Sequence, residues 1–428
     1  MTTLELNTDR ALDAEIEAFL AGDKATLQNP YALYAKIREK GTAYWYKGET
    51  PIISRYADAS ALFRDSAHFQ TYRGKERFDP DRLSGEDRAK VDDIVAFEAL
   101  QMNEMNDEHH RRVRTVAQRA FPPNRIAALK DQVQTVVDDY FDEMAQNDVV
   151  DFMQFAYKLP LTVVSAFMGL DRSQIDAIKT WGDSIASVKP FTGGKLPVEK
   201  IRNAHEGVKA TQAYVLELID EHRANPDART DFMASLLDSE ESDKLTPEEM
   251  AGTISIIIYA GHESTTNQLG NSLHALLTHP DQWAMLKSQP DLAENAVAEL
   301  LRFNTPVQMM TRRAVEDTML NDVMIPKHAR PLILYGSVNR DEAEFADADT
   351  LDITRKKVSH MSFGFGVHVC IGSALARLEG RTVFETLVRR FPDIELAVDP
   401  SELVWNSHPV FRGLGSLPVR LGQDRGRT

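Results

Sequence analysis

The 428-residue chain has a single cysteine, Cys370. One cysteine excludes an intrachain disulfide and suits a reducing compartment. Long hydrophobic runs are also missing. No stretch of about 20 apolar residues occurs, which excludes a membrane-spanning helix. The opening Met-Thr-Thr-Leu-Glu-Leu lacks the basic start and apolar run of a secretory signal. Positive charge is scarce: 49 Lys and Arg face 65 Asp and Glu, a net charge of −16. That balance argues against nucleic acid as a partner, since phosphate binding needs a basic surface. No period of about 20 to 50 residues repeats, so a solenoid is excluded. These absences describe a cytoplasmic protein. Its composition, 43% hydrophobic and 27% charged, is that of an ordinary globular chain, and its length alone would suit two or three cores.

What is present centres on Met361 to Glu379, Met-Ser-Phe-Gly-Phe-Gly-Val-His-Val-Cys-Ile-Gly-Ser-Ala-Leu-Ala-Arg-Leu-Glu. Gly364, Gly366 and Gly372 suit a tight loop rather than a helix or strand. Leu375, Leu378, Thr382, Val383 and Leu387 then mark an amphipathic helix that ends before Pro392. Cys370 therefore stands at a helix N-terminus, where backbone N–H groups favour a thiolate. By residue type alone it is either a small buried hydrophobe or a nucleophile. His368 is the nearest candidate base for the latter, although a side chain two residues along an extended loop points away.

Along the chain, residues 11–40 predict two helical segments parted at Asn29-Pro30, and 43–46 with 51–54 a small hairpin. A helix is expected over 57–66. Residues 67–105 read as an irregular polar region with short helical pieces, whose Phe97, Leu100, Met102 and Met105 suit the wall of an apolar pocket. The predicted helix 107–120 carries Arg111, Arg112, Arg114 and Arg119, either a basic patch or a solvated face. Helical patterns over 124–240 are broken at Pro160, Pro190, Pro197 and Pro226. The break at 189–194, rich in proline and glycine, is the expected mobile lid. Thr246-Pro247-Glu248-Glu249 is a capping box, and no proline follows until Pro280. The resulting helix of about 32 residues spans roughly 48 Å. Midway, its apolar run yields to Ala260-Gly261-His262-Glu263-Ser264-Thr265-Thr266-Asn267. Consecutive polar residues face the interior as well as solvent, and buried polar groups need partners. Back-bonding hydroxyls are one explanation. A further helix over 291–303 opens with Asp291 and Glu294 as caps and holds Glu299 and Arg302 on one face. Strands are expected at 331–335, 395–398 and 417–421.

The spacing Phe363-Gly-x-Gly-x-His368-x-Cys370-x-Gly372-x-x-Leu375-Ala376-Arg377-x-Glu379 resembles, at every position, the heme-binding loop of the cytochrome P-450 family. The resemblance implies a mainly α fold with small β-sheets. It implies a single domain over 1–428, with 1–30 an N-terminal extension and 422–428 a polar tail. Heme b (iron protoporphyrin IX) would lie between the long helix and the cysteine loop, with Cys370 as thiolate ligand and Phe363 and Gly372 shaping the loop. His110 and Arg114 match the family's His-x-x-x-Arg pair for a heme propionate. Arg312 and His368 match its further propionate donors. Ala260 to Thr265 resembles the oxygen-activation motif, with Glu263 as acid, Ser264 where threonine is usual, and Thr265 as a further hydroxyl. Glu299, Arg302 and Arg355 resemble the structural charge triad. Tyr259, Ala260, Val307, Gln308, Met310, Val410 and Phe411 fall at pocket positions.

The implied reaction is monooxygenation of a small or medium hydrophobic molecule by O2. Electrons would come from a separate ferredoxin and ferredoxin reductase, since no flavin or nicotinamide segment follows Leu421, with Arg111 and Arg112 steering the acidic donor. No nucleic acid and no membrane enter this reading. A peroxide-driven hydroxylase and a non-catalytic heme-thiolate sensor are the alternatives, and the Glu263-Ser264 pair argues against both.

Overall fold

Helix dominates from Arg10 onward because apolar residues recur at three- and four-residue spacing and prolines fall at helix starts, Pro247 and Pro280 each opening one. The computed structural model describes residues 8–72, 78–79, 81, 83–188, 196–241, 245–406 and 408–427. The expected lid, 189–194, lies outside the described residues. The chain divides into two units, one of Met1–Gln70, Ile126–Pro160 and Glu263–Thr428, the other of Thr71–Arg125 and Leu161–His262.

All described strands belong to the first unit: β1 (Tyr44–Tyr46), β2 (Thr50–Ile53), β3 (Phe69–Gln70), β4 (Val149–Asp151), β5 (Met309–Thr311), β6 (Arg313–Ala314), β7 (Thr318–Leu320), β8 (Val323–Ile325), β9 (Leu332–Leu334), β10 (Glu395–Leu396) and β11 (Pro418–Arg420). The largest sheet runs β1-β2-β9-β5. The expected hairpin is β1 and β2, with Tyr44 opposite Ile52. β2 is parallel to β9, Ile53 facing Ile333, and β5 is antiparallel to β9, Met310 facing Ile333. Ile53, Leu62, Phe63, Ile333, Tyr335, Val338 and Met361 form one apolar core beneath this sheet. Because β5 runs into Arg312 and β9 into Tyr335, the sheet presents both side chains to that core.

Both ends of the chain are tied into the first unit. Asp9 caps the helix Arg10–Leu20, and the Tyr44 hydroxyl donates to the Asp13 carboxylate at 2.8 Å. Near the other end, Arg390 is 1% exposed. Its guanidinium donates to Asp138 at 3.2 Å, Asp142 at 2.6 Å and Asp424 at 2.6 Å. Arg427 pairs with Asp139 at 2.8 Å, so the polar tail is strapped to the helix Lys130–Met144.

Among its described residues the second unit has helices joined by turns and no strand. Gly85–Ala99 is a 15-residue helix, not the irregular region expected there. Its charged residues hide a narrow stripe, Val91, Ile94 and Phe97, which packs with Ile201, Ala204 and Val208 of the helix Val198–Ala224. Ser84 caps it, accepting the Asp87 N–H at 3.1 Å, and Asp87 pairs with Arg202 at 2.9 Å. Phe97, Met102 and Met105 are buried in packing. Phe121, Phe167 and Phe232 make a second aromatic cluster.

Two further expectations are corrected. Pro160 lies inside the helix Phe152–Met168 instead of breaking it. Removing one N–H leaves one missing hydrogen bond, while Phe155, Ala156, Leu159, Leu161, Val163 and Val164 are all buried around it and hold the helix together. Asp291 is not a helix cap: Pro290 opens a short turn, Pro290–Leu292, and the helix proper starts at Ala293 with no side-chain cap.

Candidate active site

The cysteine loop is built by two left-handed glycines, Gly364 at φ 72° and Gly366 at φ 73°. A side chain is forbidden at Gly366, where a Cβ would lie 2.3 Å from the Phe63 carbonyl oxygen. The Gly364 N–H donates to Met361 O and the Cys370 N–H to Phe363 O, both at 2.8 Å. The one-turn helix Gly366–His368 lies inside that closure. Phe363 is held between the Arg377 guanidinium at 5.0 Å and the His360 ring at 5.5 Å. Cys370 is exposed, and Val367 and Val369 beside it are 49% and 40% exposed. Gly372 caps the helix Ser373–Arg390 without a side-chain bond, and a Cβ on it would sit 4.0 Å from the Cys370 sulfur. An anionic ligand atom is favoured at such a helix start.

Behind the loop stands a buried polar frame. Asn339 accepts the Met361 N–H at 2.7 Å and donates to Ser362 Oγ at 2.9 Å. Arg302 and Glu299, both fully buried, join through two bonds of 2.7 and 2.8 Å. Arg302 also donates to the carbonyls of Asn339 at 2.9 Å and Ala348 at 2.7 Å, and Arg355 reaches Glu299 at 3.2 Å. A fully desolvated ion pair persists only with all its donors satisfied, and here the satisfaction fixes the segment whose Asn339 grips the loop. That role of Asn339 escaped the sequence reading. Its signal in the sequence was Asn339-Arg340-Asp341, a polar trio closing the buried stretch 332–338.

Arg312, 8% exposed, donates to Thr311 O at 2.8 Å and lies 4.9 Å from the Phe63 ring. His368 is half-buried on the loop. In the second unit, His110 is buried and Arg114 half-buried, one turn apart on the helix Asp107–Arg119. On that helix Arg111 pairs with Glu108 at 2.7 Å. Arg112 closes an ion pair with Glu249 that His109 shares at 2.7 Å. Arg112, the largest cause, holds the Glu249 carboxyl down at about 2. Arg111 and Arg112, the cations expected to steer a donor protein, thus each have a carboxylate partner, and Arg112 serves the helix start.

The long helix is Pro247–Thr278, with both capping-box bonds present: Thr246 N–H to Glu249 at 3.0 Å and Glu249 N–H to Thr246 Oγ1 at 3.2 Å. Ala260 is exposed, Gly261 to Ser264 are half-buried and Thr265 to Gln268 are buried. The polar run thus enters the interior at Thr265. Deeper along the helix, Asn271 donates to Arg412 O at 2.9 Å. Gln268 packs against the cysteine helix, where a Cβ on Gly380 would come 2.9 Å from its amide nitrogen. Burial lowers the His262 ring to about 4, so it is neutral beside Glu263.

Of the expected wall residues, Val307 and Met310 are half-buried on the sheet core. Val307 bridges Phe411, also half-buried. Val410 is buried. Gln308 is turned inward: its amide oxygen accepts from Tyr34 at 2.9 Å and its amide nitrogen donates to Thr305 O at 2.6 Å. Tyr259 is likewise engaged elsewhere, its hydroxyl bonded to Thr211 and its ring against Gly182. Both point by their tertiary partners, which residue type does not reveal.

Among the described residues no three His, Cys, Asp or Glu side chains converge to hold a metal ion. A metal on Cys370 would need its remaining ligands from a cofactor, and the exposed valines around the sulfur fit an apolar one. None of the described helices is long and apolar enough to cross a membrane.

The cytochrome P-450 family model matches residues 78–408. The chain is 32% identical over 420 residues to cytochrome P-450 107B1 of Saccharopolyspora erythraea, spanning 95% of this chain and 99% of that relative. It is 31% identical over 402 residues to vitamin D(3) 25-hydroxylase of Pseudonocardia autotrophica, spanning 92% and 94%. Among solved structures it is similar to P-450BioI in complex with an acyl carrier protein ligated to hexadec-9Z-enoic acid. That match has a TM-score of 0.83 at 30% identity and covers 93% of this chain and 100% of that one. The chain belongs to the cytochrome P-450 family and is a heme-thiolate oxidoreductase of the monooxygenase type.

Proposed function

We propose that the protein inserts one oxygen atom from O2 into a small or medium hydrophobic molecule, with heme b held through Cys370. The observation that carries this reading is the exposed sulfur at a helix start, framed by apolar side chains on a loop that Asn339 and the Glu299–Arg302–Arg355 cluster immobilise. Arg312, His368, His110 and Arg114 would hold the heme carboxylates, guanidinium groups suiting paired bonds to them. When bound, the heme supplies oxygen activation and electron storage.

The chain's own side chains do the rest. Glu263, half-buried, takes protons from solvent at its carboxylate, and the Ser264 hydroxyl passes them inward beside the buried Thr265. Val307, Met310 and Phe411 provide apolar surface for substrate, which fits relatives whose names specify vitamin D(3) and a fatty acyl chain. Electrons come from a separate ferredoxin and its reductase. The curated relatives match this chain over nearly their whole length. The reaction belongs to the cytoplasm, where one cysteine stays reduced.

The test is the spectrum of the reduced, carbon-monoxide-bound protein. A thiolate-type band is expected, and Cys370→His should retain some heme while losing hydroxylation with a surrogate redox chain. An imidazole-type band in the unmodified protein would refute the assignment. Turnover with peroxide but none with NADH and a redox chain would favour the peroxide-driven alternative.

A further inference from the structure

Tyr335 follows β9 directly, opening the short helix Tyr335–Val338 beside the cysteine loop, and is 4% exposed. Its ring packs on Phe63 at 5.8 Å, the same ring that the Arg312 guanidinium contacts at 4.9 Å. Its phenol oxygen lies 3.5 Å from the point where a side chain on Gly364 would begin, and the His368 carbonyl lies 3.7 Å from that point. Among the described residues the hydroxyl has no hydrogen-bond partner. The ring is buried but the phenol oxygen is not sealed off, so the hydroxyl is free to meet an acceptor at the loop surface. Burial pushes the phenol up to about 12, which keeps it a donor at working pH.

We propose that Tyr335 is a positioning residue that donates a hydrogen bond to a carboxylate of the bound heme, between the donors Arg312 and His368. The inference rests on the heme reading above. Nothing in the sequence marks it, because Tyr335 reads there as one more apolar strand residue.

The experiment compares wild type and Tyr335→Phe, each reconstituted with heme and with heme dimethyl ester, whose carboxylates are masked. Heme loss to excess apomyoglobin is timed. With heme, the phenylalanine variant should lose cofactor roughly tenfold faster, as expected for one lost charge-assisted bond. Its reduction potential should fall, since a carboxylate stripped of a donor favours ferric iron. With the ester, the two proteins should release cofactor at the same rate. Equal rates with unmodified heme would overturn the proposal. So would the same difference with both cofactors, which would make Tyr335 a packing residue or the host of a buried water. Tyr335→Gln, which keeps a donor, should recover part of the retention if the phenylalanine variant proves hard to isolate. A wild-type protein that takes up neither cofactor would instead refute the heme reading.

Discussion

Ser264 stands where a hydroxyl meets the inward turn of the long helix, half-buried between Glu263 and the buried Thr265. Serine has a more mobile χ1 than threonine, whose second substituent on Cβ restricts its rotamers. Ser264→Ala should therefore leave heme and substrate binding nearly unchanged while product per NADH falls, by roughly fivefold, as reducing equivalents escape to peroxide. Ser264→Thr should couple at least as well as wild type. Product and peroxide measured against NADH consumed decide it; full coupling in the alanine variant would move the role to Thr265 or a water.

At the scale of the element, the long helix is anchored where Thr246 and Glu249 cap one another and Arg112 and His109 share the carboxylate. Thr246→Ala should cost about 1 kcal/mol in urea unfolding at neutral pH. A loss near zero would mean that Arg112 alone holds Glu249 in place. This helix and its capping box were fully legible, as was the cysteine loop, because prolines, glycines and a lone cysteine carry their conformational demands with them. The Gly85–Ala99 helix was not, since Glu, Asp, Arg and Lys between Val91, Ile94 and Phe97 dilute its apolar stripe. Gln308 and Tyr259 were placed at the pocket by position alone. Their actual directions come from Tyr34, Thr305 and Thr211, residues distant in sequence, and no local pattern encodes such partners. Pro160 misled for a related reason: burial on either side of it outweighs one absent hydrogen bond.

Over the whole molecule, buried ionisable groups limit stability on both sides of neutrality. Burial lowers His262 and His274 to about 4 and His360 to about 3. The unfolded chain binds protons at these rings from about pH 6.5 downward while the folded one does not, so stability is full above that pH and lost toward pH 4. Glu379 acts oppositely: it is fully buried and burial alone raises it to about 8. Unfolded, it ionises from about pH 4.3 upward, so stability falls between there and pH 8. Tm should peak near neutral to slightly acid pH, and Glu379→Gln should flatten the alkaline decline and raise Tm at pH 8. A variant whose Tm follows wild type at every pH would show that Glu379 is already ionised in the fold. The strap made by Arg390, Asp138, Asp142 and Asp424 bears on a different use of the protein. A ferredoxin fused after the last residues would leave from an anchored point, since Arg427 is tied to Asp139 and Asp142. Its range would then be set by the added tether alone, about 22 Å for some 16 glycine and serine residues, and tether length becomes a direct control on intramolecular reduction rate.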